Sequence, residues 1–137
     1  MGVAARRAVG IGRADRRLAS MTESPVTVPR PRRVAQATRL RPEARERYLR
    51  LHAAVWPEVE AMLSAANIRN YSIYLLDDVL FSYYEYMGDD YDRDMRRIAA
   101  DPATQRWWSL TDPCQERLPG TADGRQWLEL PEAWHMD

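Results

Sequence analysis

Between Tyr71 and Met87 the chain carries two alternating apolar stretches split by the polar pair Asp77-Asp78. Tyr71, Ile73 and Leu75 fall on one face of the first stretch and Ser72, Tyr74 and Leu76 on the other, which is the period of a β-strand. Val79 to Met87 continues as a second strand after a tight turn, so the segment reads as an aromatic hairpin. Six aromatic side chains, Tyr71, Tyr74, Phe81, Tyr83, Tyr84 and Tyr86, are spread over both faces of this hairpin. Both faces therefore need covering, and that requirement constrains the fold more than any other feature of the sequence.

The segments around the hairpin are helical or strand-like in a definite order. Val34 to Leu40 alternates as a first strand, and Arg41-Pro42 stops it. Pro42 suits a first helical turn, Glu43 and Glu46 suit the positive end of the helix dipole, and Ala44, Tyr48, Leu51, His52 and Val55 form one inward stripe. Trp56-Pro57 breaks that helix, or kinks it, and starts an inner face of Val59, Met62, Leu63 and Ala66. Asn67 to Asn70 is expected to be a connector. After the hairpin, residues 91–100 form a polar helix with Tyr91, Met95 and Ile98 inward. Asp101 then caps a helix whose inner face holds Ala103, Trp107 and Leu110, with Trp108 beside it. Thr121 to Gln126 is a loop, and Trp127 to His135 is expected to be a last strand with Pro131 at an edge or bulge. The order β-αα-β-β-α-α-β is that of an α+β, ferredoxin-like antiparallel sheet with helices on one face. Since helices cover one face only, a homodimer of the dimeric α+β barrel kind is expected to cover the other.

Composition narrows the function. At 137 residues the chain is one domain's worth, and 45% hydrophobic content supplies a core. The net charge of zero hides an asymmetry: residues 1–33 hold eight arginines against Asp15 and Glu23, while residues 34–137 hold 12 arginines and 18 acidic residues. The sequence divides accordingly into a disordered Arg-rich N-terminal arm, 1–33, and a folded domain, 34–137, with Met21 an alternative internal start. An acidic body argues against nucleic acid as a partner. No apolar run reaches the roughly 18 residues of a membrane span, and no signal-peptide core precedes the domain, so no membrane partner is expected. Cys114 is the only cysteine, which rules out an intrachain disulfide and favours a cytoplasmic location.

The chain has no phosphate-cradling glycine motif, no Cys/His metal spacing and no serine elbow, so neither a cofactor nor a metal is expected. Its chemistry-bearing residues are His52 on the inward stripe, the tyrosines, and the adjacent Trp107 and Trp108. Glu85, among the hairpin aromatics, is a weaker candidate for a buried carboxylate, and His135 reads as an exposed residue near the chain end. Indole faces stack on the C–H face of a sugar while phenols bond its hydroxyls, so this inventory suits a small sugar.

Four segments carry a specific resemblance. Glu46-Arg-Tyr-Leu-Arg-Leu-His-Ala-Ala-Val-Trp-Pro-Glu-Val-Glu60, then Asn70-Tyr-Ser-Ile-Tyr74, Gln105-Arg-Trp-Trp108 and Glu132-Ala-Trp-His-Met136 together resemble the L-rhamnose mutarotase (L-rhamnose 1-epimerase) family over residues 34–137. The resemblance implies a dimeric α+β barrel that needs no cofactor. It also implies that His52 is the proton donor and that Tyr48, Tyr71, Trp107 and Trp108 bind the sugar. The arm before Val34 has no counterpart there, and Ala53-Ala54 stands where a polar residue and proline are common. The expected activity is interconversion of the α and β anomers of L-rhamnose or a related 6-deoxyhexose, with the general base unidentified. Two other readings fit the same inventory: a cofactor-independent monooxygenase of the small dimeric-barrel type, and a non-catalytic sugar- or metabolite-binding module.

Overall fold

The computed structural model describes residues 30–137. The Arg-rich arm expected over 1–33 lies outside the described residues up to position 29. The strands are β1 (Arg32–Leu40), β2 (Ile68–Leu76), β3 (Val79–Tyr86), β4 (Gln115–Glu116) and β5 (Leu128–Leu130); the helices are α1 (Arg45–Ala53), α2 (Pro57–Ala65), α3 (Tyr91–Ala100) and α4 (Pro102–Thr111). They build one antiparallel sheet in the order β2-β3-β1-β4, and β5 also pairs with β1. This is the α+β sheet-and-helix architecture expected from the sequence. Among the described residues no helix is long and apolar enough to cross a membrane.

Alternation along β1 and β3 sorts the two faces. Val34 opposes Tyr84 and Thr38 opposes Leu80. These residues turn toward the helices, where Val34, Ala66, Ile68, Tyr84, Tyr86 and Ile98 form one buried cluster and Leu40, Tyr48, Leu80 and Cys114 another. The odd-numbered positions of β1 and β3 turn outward. On that outer face Tyr74 opposes Phe81, Phe81 opposes Ala37, and Ala37 opposes Leu128. A row of apolar side chains therefore crosses four strands on the side without helices.

Several boundaries differ from the sequence reading, each for a physical reason. β1 begins at Arg32, because Arg32 and Arg33 already pair with Tyr86 and Glu85, so the last residues assigned to the arm belong to the sheet. Asn67 to Asn70 is not all connector: β2 begins at Ile68, and a bulge between Arg69 and Ser72 absorbs the irregularity. The helix expected from Pro42 opens instead with a 3-10 turn, and α1 and α2 are separate helices. The final strand is only Leu128–Leu130, since Pro131 has no amide hydrogen for the ladder and the chain runs on without regular structure. β4 was not foreseen at all, because two residues hold no alternation to read.

Glu85 is not a buried carboxylate in the site. It lies on the outer face of β3 and accepts two hydrogen bonds from Asn70 Nδ2, at 2.9 and 3.0 Å. The buried carboxylate is Asp94, with 0% of its surface exposed, which the polar appearance of α3 concealed. It accepts from Tyr86 Oη at 2.5 Å, Arg97 Nη1 at 2.9 Å and Asn67 Nδ2 at 3.0 Å. These donors hold the Asp94 carboxyl well below the usual range, the tyrosine foremost. The network ties α3 to the strand edge below it. His135 is exposed, as expected, and bonds Asp137 at 3.0 Å.

Candidate active site

Tyr48 and His52 lie one turn apart on α1, so their rings share a face. The rings stack with centroids 4.1 Å apart and planes 27° from parallel. Tyr48 is sealed into the core against Leu40, Leu80 and Cys114, while His52 is half-buried above it. One imidazole nitrogen is committed: His52 Nδ1 lies 2.9 Å from the Tyr48 carbonyl oxygen. A carbonyl can only accept, so Nδ1 carries the hydrogen, and in the neutral ring Nε2 then bears the lone pair. Nε2 has no hydrogen-bond partner among the described residues. Burial lowers the His52 pKa from its ordinary value of 6.5, and the bond to the Tyr48 carbonyl only partly opposes this. At neutral pH the ring is uncharged and basic at Nε2.

Trp107 arrives from α4, whose start is fixed by Asp101: its carboxylate accepts from the Thr104 backbone at 2.9 Å and from the Thr104 hydroxyl at 2.8 Å. The Trp107 indole meets His52 edge-on, with centroids 5.3 Å apart. On its other side is Trp56, also at 5.3 Å. Trp56 holds the extended conformation that a residue before proline requires, so Pro57 both ends α1's run and aims this indole. The adjacent tryptophans divide the labour that two neighbours on a helix must divide: Trp107 is buried and Trp108 is 38% exposed.

Tyr71 reaches the site because of the bulge. Ile68 and Tyr71 both face the helices, although three residues apart, and the register shift between Arg69 and Ser72 makes this possible. Asn70 takes the left-handed conformation there, with φ of 50°. The Tyr71 ring packs edge-on against Tyr84 at 5.5 Å. Tyr71 keeps 44% of its surface accessible, yet desolvation pushes its pKa up to about 12, as expected for a ring with an open flank and a sunken hydroxyl. Burial raises Tyr48 further still. Both phenols stay protonated at neutral pH and can act as hydrogen-bonding groups.

Tyr48, His52, Tyr71, Trp107 and Trp108 all line one cavity of about 970 Å³ between the sheet and the helices. That is the upper end of the usual range for ligand pockets. The structure therefore brings these five residues to one cavity and leaves Glu85 and His135 outside it. It adds Gln115 of β4 and Trp127 before β5, which sequence reasoning missed because nothing in their neighbourhood marks an inward face. Among the described residues no group of three or more His, Cys, Asp or Glu side chains is placed to hold a metal ion.

Fold and cleft together define a small α+β barrel-type domain with a cavity lined by aromatic rings and one histidine. A profile of the L-rhamnose mutarotase family matches residues 33–136. L-rhamnose mutarotase of Phocaeicola vulgatus is 35% identical over 100 residues, covering 72% of this chain and 91% of that protein. The L-rhamnose mutarotase of Escherichia coli O1:K1 is 34% identical over 108 residues, covering 76% and 97%. The chain belongs to the L-rhamnose mutarotase family. Among solved structures, the L-rhamnose mutarotase FA22100 of Formosa agariphila superposes with a TM-score of 0.61 at 22% identity, over 77% of this chain and 99% of that one. Tetracenomycin F2 cyclase of Streptomyces glaucescens superposes with a TM-score of 0.56 at 13% identity, over 77% and 99%, and shares the fold alone.

Proposed function

We propose that this protein is an isomerase, an aldose mutarotase that interconverts the α and β anomers of L-rhamnose at the cavity served by His52. The observation that carries the reading is the half-committed imidazole, Nδ1 on the Tyr48 carbonyl and Nε2 free, inside an aromatic cavity of a chain of this family. Anomer exchange needs a proton taken from the anomeric hydroxyl and one given to the ring oxygen. As Nε2 takes the proton from O1, the O1–H electrons form the C1 carbonyl, the C1–O5 bond breaks, and O5 keeps its electron pair. The imidazolium then gives the same proton to O5. Both oxygens are attached to C1, so one nitrogen serves both with a small displacement. Rotation about C1–C2 and the reverse sequence on the other carbonyl face complete the inversion.

The lowered His52 pKa supports a refinement of the role implied by family resemblance. The resting ring is neutral, so His52 accepts first and donates second, and it is proton donor only in the second half-step. Trp107 and Trp108 supply apolar faces for the sugar's C–H surface, while Tyr48 and Tyr71 supply protonated phenols for its hydroxyls. Spontaneous ring opening is not slow, so positioning plus one relayed proton is sufficient catalysis. Saturation-transfer NMR on L-rhamnose tests this: enzyme is expected to speed exchange between the two anomeric protons above the buffer rate. Exchange unchanged by enzyme for L-rhamnose and other 6-deoxyhexoses sinks the reading.

The same reading includes a homodimer joined through the outer sheet faces and a cytoplasmic location. Supporting the dimer is the apolar row across β2, β3, β1 and β5, in which Tyr74 is 65% and Phe81 37% exposed in the isolated chain. Supporting the location is the single cysteine.

A further inference from the structure

One polar side chain of the cavity has no part in the chemistry above. Gln115 opens β4, where its backbone pairs with Leu40, and it is 6% exposed while lining the same cavity as His52. Its side-chain amide lies against the Tyr48 hydroxyl, and among the effects on that phenol it opposes the larger one of burial. Gln115 Oε1 has neither a hydrogen-bond donor nor contact with water, and among the described residues it is the only buried side-chain oxygen or nitrogen in that state. A carbonyl oxygen stripped of water and left without a donor destabilises the fold, so its presence needs an explanation. No packing role requires the amide; a leucine or methionine would fill the same volume without the penalty.

We propose that Gln115 is a substrate-binding and specificity-determining residue, whose side-chain oxygen accepts a hydrogen bond from a sugar hydroxyl seated beside Tyr48. The terminal torsion of glutamine is soft and roughly two-fold, so rotation about it turns Oε1 from its dry position toward the cavity the side chain already lines. Tyr48 below and Gln115 beside it then form a polar corner of the cavity. Such a corner reads one hydroxyl of the ligand, because an analogue lacking that hydroxyl leaves the buried acceptor unpaired. This rests on the reading of the cavity as a sugar site and adds the residue that distinguishes one 6-deoxyhexose from another.

The test measures anomer exchange against sugar concentration for the full chain and its Gln115→Leu and Gln115→Met variants, with L-rhamnose and its single-deoxy analogues. Both variants are expected to raise KM roughly tenfold while kcat stays within about threefold, the pattern of a lost binding contact. Their thermal midpoints are expected to equal or exceed that of the parent, since the orphan acceptor is gone. One deoxy analogue is expected to suffer a similar KM rise with the parent protein and no additional rise with Gln115→Met. Should one variant not fold, the other, measured against the same deoxy series, still decides. Normal KM in both variants, or a KM rise with a lowered midpoint and equal loss for every analogue, overturns the proposal alone. Absence of any exchange by the parent protein removes the mutarotase reading, and this inference with it.

Discussion

At the scale of the residue, the proposed chemistry turns on which nitrogen of His52 is occupied. The Tyr48 carbonyl holds Nδ1 and burial disfavours the charged ring, so the resting form is neutral imidazole and, on the proposed mechanism, the active one. Catalytic efficiency is therefore expected to rise with pH through a pKa below 6.5 and to level off by neutrality; a pH–rate profile centred above 6.5 contradicts this. Because the unfolded chain binds this proton more readily than the folded one, stability linked to His52 is held above its ordinary pKa and lost as the pH falls below it. His52→Asn keeps an amide donor for the Tyr48 carbonyl but has no base to offer. It is expected to fold and to lose roughly 10²–10⁴-fold in exchange rate by NMR.

At the scale of the element, the bulge in β2 decides whether Tyr71 belongs to the site. A regular strand from Ile68 would put Tyr71 on the outer face, and the left-handed turn at Asn70 reverses that. Asn70→Gly tolerates the backbone and loses only the contacts with Glu85. Asn70→Val is strained by about 1–2 kcal/mol relative to glycine and pulls Tyr71 out of register. Chemical denaturation is expected to rank valine below glycine, with a higher KM for the valine variant. Equal stability and equal KM for the two would show that the turn does not position Tyr71. The sequence marked Asn67 to Asn70 as irregular, but an asparagine-rich run reads alike as a loop or as a bulged strand.

At the scale of the whole molecule, the sheet has one face under helices and one under nothing in the isolated chain. Sedimentation equilibrium at micromolar concentration is expected to give about twice the 15.9 kDa of one chain. Replacing Tyr74 and Phe81 by glutamate on the outer face is expected to give monomers that still fold, because neither side chain enters the helix-facing core. A mass near that of one chain for the parent would mean that the apolar row is tolerated in water.

Periodicity in the sequence was enough to determine the hairpin, the paired helices and the stripe that stacks Tyr48 on His52, because each depends only on residues a few positions apart. The Trp107-Trp108 pair was visible for the same reason, since neighbours on a helix must face different ways. What only the tertiary structure decided involves partners distant in the chain. The neutral state of the His52 ring follows from its burial beside Trp107. The place of Gln115 follows from a two-residue strand that exists only because Leu40 is there to pair with it. The buried Asp94 sits in a helix whose charges look solvated until Tyr86 and Asn67 are brought beneath it. Local spacing cannot reveal a group's desolvation, which depends on everything the fold packs around it.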